Sequence, residues 1–229
     1  MPARKRQAGR GRAPIQAVEL ADPSRGRIAS IYRPGMSRLP ELRHDQLSPD
    51  AQAVWAAIVG TRGPQLETPA GGLPGPFNAF VHAPDVGGGL TALGATLRFG
   101  TSIERRLSEV AIITVGARWQ AEFEWWAHAR MAREHGVPDV VVDAIGRGEP
   151  PSFEAEDERI VYAIASSLAQ TGHVSQPDYD AGQELLGDTG MVELVALCGY
   201  YTLISFLLNA FDVPVPAGSQ PRWSDSQGG

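Results

Sequence analysis

Three residues near the middle of the chain could do acid–base chemistry. Glu109 opens the run "SEVAIITV" at residues 108–115, and Glu124 and His128 follow in "EFEWWAHARMA" at 122–132. Ionised carboxylates are rarely buried without a partner, so a Glu heading a run this apolar is at a helix end, paired or chemically useful. On a helix Glu109 shares a face with Ile112, Ile113 and Gly116. Desolvation on that face would raise its pKa and let it donate a proton near neutral pH. Glu124 and His128 stand four apart, so a helix makes them neighbours; the carboxylate then orients the imidazole and favours its cation. His135 falls on the same face. Plainer alternatives exist: Glu109 at the edge of the apolar face with its head in water, and Glu124–His128 as an exposed pair worth a few tenths of a kcal/mol. Two further candidates could line a substrate pocket. His82 follows a long glycine–proline loop, where a surface or capping role is the alternative. Trp125 is the other, and a core or interface role competes with it.

Composition narrows the chemistry. The sole cysteine of the 229 residues is Cys198, which rules out an intrachain disulfide, a CxxC redox pair and a thiolate zinc cluster. Cys198 lies in the apolar run "LVALCGYYTLISFLL" and reads as a buried structural thiol. Glu109, Glu124, His128 and His82 are ligand types for a divalent ion. Glu-x-x-x-His is a common pattern, however, and a metal needs three or more converging ligands, so neither metal nor other cofactor is expected. A net charge of −6 argues against a nucleic-acid partner, which needs a basic face. The basic residues Arg4, Lys5, Arg6, Arg10 and Arg12 crowd the start, with no apolar segment after them to make a signal peptide. A cytoplasmic protein is expected.

The elements that must position these groups are helices. Ser48-Pro49-Asp50 starts one that runs to Gly60; residues 61–77 hold four prolines and four glycines and form a loop. Further helices are expected at 85–99, weakened by Gly87-Gly88-Gly89, then at 101–119, opened by a Thr101/Glu104 capping box, and at 121–135. Others follow at 138–146, 153–170, 177–187 and 190–210. No segment alternates as a strand does. Residues 191–208 approach the length of a membrane span, but their polar residues and lack of basic flanks read as a helix buried in a protein or its oligomer. Residues 1–45 form an extended, partly disordered arm, 46–216 one helical domain, and 217–229 a disordered tail.

The segment "SEVAIITVGARWQAEFEWWAHARMAREHGV", with "GPFNAFVHAPDV" before it and "LNAFDVPVP" near the end, resembles the carboxymuconolactone decarboxylase family of the AhpD-like superfamily. The resemblance covers roughly residues 40–216. It implies an all-α helical bundle that assembles as a homo-oligomer, a trimer or hexamer, with a pocket near a subunit interface. The superfamily's peroxidase branch carries Cys-x-x-Cys-x-x-x-His with a Glu one helix earlier. On that pattern Glu109 and His128 match, while the cysteine positions hold Ala121 and Glu124. Thiol peroxidase chemistry needs thiolates, so that activity is excluded. What the resemblance implies is a cofactor-independent decarboxylase of aromatic-compound catabolism, acting on a small carboxylated lactone or unsaturated acid. In it His128 would be general acid or substrate-holding cation, Glu124 would set its tautomer, and Glu109 would donate a proton. An isomerase or hydrolase, or a non-catalytic binding oligomer, are the alternatives.

Overall fold

The computed structural model describes residues 37–223. The basic cluster at residues 4–12 and the end of the expected tail, 224–229, lie outside the described residues. Among those described there are eight α-helices and no strand: α1 (Pro49–Arg62), α2 (Pro76–His82), α3 (Pro84–Phe99), α4 (Arg105–Arg118), α5 (Glu122–Glu134), α6 (Asp139–Arg147), α7 (Glu156–Thr171) and α8 (Gln176–Ala210).

Helix α4 is the axis of the bundle and packs against α5, α6, α7 and α8. Every residue from Leu107 to Gly116 is buried. A helix apolar all round belongs at the centre of a bundle, which is why "SEVAIITV" offers no solvent face and why Glu109 enters the core. On its outer side Arg106 ties α4 to α7 through Asp157 and Glu158, both at 2.6 Å.

Several local expectations are met with clear causes. Ser48 caps α1 by accepting from the Ala51 amide. The "DVVV" stretch is helical, with Val141 and Val142 turned inward. Gly87 in α3 approaches the Phe80 carbonyl of α2 so closely that an added Cβ would collide with that backbone. The glycines that weaken α3 thus include one that lets it pack.

Other expectations are corrected. Thr101 does not cap α4: its hydroxyl bonds back to the Leu97 carbonyl at 3.4 Å, and α4 begins at Arg105 after an uncapped Glu104. Ile103 is buried, and the bend that inserts it keeps 101–103 out of the helix. The break expected between helices at 177–187 and 190–210 is present: α8 is two helical arms that meet at a kink, where Gly187 leaves helical geometry (φ 65°, ψ 178°). At both ends of the described residues, segments dock onto the helices. In the expected arm, the Arg38 amide bonds the Phe211 carbonyl at 2.8 Å, and Asn78 holds Pro40 and Leu42. In the expected tail, Arg222 and Trp223 donate their amides to Glu122 at 2.5 and 2.8 Å. Polar composition alone does not reveal such docking onto a preformed helix.

Candidate active site

The turn between α4 and α5 is three residues long, and Gln120 takes a left-handed conformation within it (φ 49°). The Ala121 amide bonds the Gly116 carbonyl at 3.0 Å and folds α5 back against α4. Gly116 of α4 faces Glu124 of α5, where an added Cβ would make ordinary contact with Glu124 Cγ at 3.5 Å.

This hairpin brings all three acid–base candidates together. His128 Nδ1 lies 2.6 Å from Glu109 Oε2, a buried hydrogen bond in which the ring N–H donates. The other Glu109 oxygen pairs with Arg105 at 2.7 Å, one turn back on α4. On the far side of the ring, His128 Nε2 stands 3.1 Å from Glu124 Oε1. That contact has ion-pair distance without hydrogen-bond alignment, leaving the oxygen with no hydrogen-bond partner. Glu109 is 0%, Glu124 4% and His128 4% exposed. The Tyr201 ring meets the imidazole edge-on, 5.1 Å between centroids.

The two carboxyls are driven apart. Burial pushes Glu109 up, but His128 and Arg105 outweigh it and hold the carboxyl below its ordinary value. Burial pushes Glu124 up as well, and here the attraction of His128 and Arg98 only partly offsets it, so its carboxyl stays raised. The short bond to the ring thus belongs to Glu109, the carboxyl with the lowered pKa, and the raised pKa to Glu124. Groups whose environments separate their pKa values in this way are the usual acid and base of a site.

Glu124, His128 and Tyr201 open onto a pocket of about 680 Å³, whereas Glu109 lies behind the ring and does not line it. The volume is in the range of small-molecule sites. Phe77, Phe123 and Trp126 supply apolar wall, and Arg62 and Arg98 also reach it. A second depression, about 490 Å³ and lined by Thr114, Arg118 and Tyr162 among others, touches none of the three acid–base residues.

The two proposed lining residues are placed elsewhere. His82 Nε2 bonds the Pro40 carbonyl at 2.9 Å and does not line the pocket, because the last turn of α2 faces the 37–47 segment. Trp125 packs on Trp223, 5.4 Å between ring centroids, and it is Trp126 that faces the pocket. Helical phase separates the two by about 100°. Sequence reasoning missed Trp126, Tyr201, Arg62 and Arg98. The double tyrosine in an otherwise aliphatic run was the available signal for Tyr201; the arginines resemble ordinary basic residues of a last helical turn.

Among the described residues no three His, Cys, Asp or Glu side chains are arranged to hold a metal ion. Cys198 is buried in α8, and burial pushes its thiol up to about 12.

The fold is AhpD-like. A crystal structure of an alkylhydroperoxidase AhpD core, an uncharacterised peroxidase-related protein from Ralstonia eutropha JMP134, superposes with a TM-score of 0.65 at 17% identity, covering 80% of this chain and 94% of that one. A peroxidase-related protein from Silicibacter sp. TM1040 gives 0.63 at 14% identity, covering 82% and 96%. The debrominase Bmp8 gives 0.60 at 16%, covering 77% and 91%. No family model and no curated protein matches the sequence.

Proposed function

We propose that this chain is a cofactor-independent decarboxylase acting on a small carboxylated lactone or unsaturated or keto acid such as 4-carboxymuconolactone. The observation that carries the reading is the Glu109–His128–Glu124 chain, buried behind an apolar pocket and opening into it through Glu124 and His128. When the carbon–carbon bond to the departing carboxylate breaks, its electron pair moves into a conjugated carbonyl as an enolate. Glu124, the carboxyl that burial makes the readier to hold a proton, delivers it to the enolate carbon, directly or through His128 Nε2. The anion of Glu109 holds the ring in the tautomer with Nδ1–H, so that Nε2 faces the reaction. Tyr201, whose phenol burial pushes up, is a neutral donor beside the ring for the enolate oxygen.

The solved neighbours include peroxidase-related proteins and a debrominase, so this fold accommodates several chemistries. Thiol chemistry is closed to this chain at the pocket, because Ala121 and Glu124 stand where the peroxidase pattern has cysteines and Cys198 lies elsewhere. An isomerase or lactone hydrolase would use the same acid–base pair. The reading also includes a homo-oligomer. Val192, Val195, Leu203 and Phe206 form an exposed apolar stripe along α8, suited to cover by another copy of the chain.

The test is decarboxylation of 4-carboxymuconolactone followed by ultraviolet absorbance, with wild type beside Glu109→Gln, Glu124→Gln and His128→Ala, each checked for folding and size. Turnover by wild type that collapses in His128→Ala and Glu124→Gln supports the reading. A folded wild type that leaves the lactone unchanged removes it.

A further inference from the structure

Two basic residues of the pocket are not bonded into the acid–base chain. Arg62 closes α1 and Arg98 nears the end of α3, and both guanidiniums line the same pocket as His128 and Glu124. Neither forms an ion pair with a carboxylate among the described residues. This sets them apart from Arg105 and Arg106, which are matched to acidic partners. Arg62 Nε and Arg98 Nε are buried with no hydrogen-bond partner. What contacts they have are weak or local. Arg62 lies over the Phe77 ring at 4.6 Å and reaches the neighbouring Thr61 hydroxyl, and Arg98 points one nitrogen at the Met131 sulfur at 3.3 Å. The two also repel each other: with burial, Arg98 lowers the pKa of Arg62. Two like charges held together with buried N–H groups unmatched cost stability, unless an acceptor-rich anion is their partner.

We propose that Arg62 and Arg98 are the anion-holding end of the substrate pocket, clamping a carboxylate that the substrate keeps while another part of it reacts at His128 and Glu124. The planar fork of a guanidinium matches a carboxylate in a two-point fashion. Phe77, Phe123 and Trp126 give the same pocket an apolar wall. The ligand class is therefore a small acid with a flat or unsaturated apolar body and a permanent anionic group. This rests on the proposed function only in placing the reaction at His128. If the substrate loses one carboxylate, the clamp requires a second, and the substrate is a dicarboxylate.

Binding separates the two ideas, because it needs no turnover. The probes are cis,cis-muconate and benzoate, with benzamide as the uncharged match for benzoate, titrated into the full chain while the heat of binding is followed by calorimetry. Saturable binding of either acid, with benzamide at least tenfold weaker, is expected. Arg62→Met and Arg98→Met each weaken the acids about tenfold or more, and Arg62→Lys and Arg98→Lys recover part of the loss. Equal binding of benzoate and benzamide overturns the clamp. So do Met variants that are folded, by circular dichroism and size, and bind as wild type does, or a wild type that binds neither acid. A protein that binds the acids through the arginines yet does not decarboxylate the lactone keeps the clamp and loses the proposed reaction.

Discussion

At the scale of single residues, the site turns on which carboxyl holds a proton. Glu109, depressed by His128 and Arg105, contributes stability above the ordinary glutamate value of about 4.3 and loses it as pH falls through its lower folded-state value. Glu124 has the opposite sign. Its contribution is present below about 4.3 and is lost as pH rises through its raised folded-state value. Glu124→Gln is therefore expected to raise the melting temperature at pH 7 more than at pH 4, and Glu109→Gln to lower it at pH 7. Thermal scans at the two pH values check both. In catalysis, a Glu124 that must be protonated gives a rate that falls as pH rises through its raised value. That limb should vanish in Glu124→Gln along with about 100-fold or more of the rate; an unchanged pH profile would put the acid elsewhere.

Spacing alone made the Glu124–His128 pair legible, because four residues is one helical turn. That Glu109 would meet the other ring nitrogen was legible only as two adjacent helices with one apolar face, and through the family resemblance. The lowering of its pKa was not legible, because the sequence suggests burial but not that His128 and Arg105 together outweigh it. His82 and Trp125 failed for a related reason: residue type says what a side chain can do, while helical phase and the docking of outlying segments decide where it points.

At the scale of elements, the helix-forming pattern was readable from periodicity, prolines and caps, and helix ends were not wherever packing overrode local signals. The Thr101 cap gave way to burial of Ile103, whereas the break at Gly187 was legible and kinks α8 into two arms. The α3 glycines allow a sharp test. Gly89 has nothing within 4 Å of an added Cβ, whereas Gly87 abuts the Phe80 backbone. Gly89→Ala is expected to stabilise by up to about 1 kcal/mol through helix propensity alone. Gly87→Ala should destabilise despite the same propensity gain. Denaturant titration of both variants decides; equal shifts would mean that α2 yields freely. Between α4 and α7, Arg106 pairs with Glu158, whose side chain is 3% exposed. Arg106→Ala strands that carboxylate and should cost about 3 kcal/mol, most of which Glu158→Gln in the same chain should restore.

At the scale of the whole molecule, α4 and α5 carry the acid–base chain, and α1, α3 and α8 close the pocket over it. The exposed stripe of α8 is then the surface by which copies would meet. Val192→Glu and Leu203→Glu, at positions 70% and 40% exposed, should leave the protomer folded and reduce its mass by light scattering to that of one chain. A wild type that is already monomeric would refute the oligomer.

The single thiol gives the molecule a built-in clock. Cys198 sits in the interior of α8, 4% exposed and packed within the apolar cluster, so an alkylating reagent can reach it only when that helix lifts away. Its labelling rate therefore measures how often the bundle opens rather than how reactive the sulfur is. The half-time should lengthen when a carboxylate ligand fills the pocket beneath Tyr201, three residues further along the same helix.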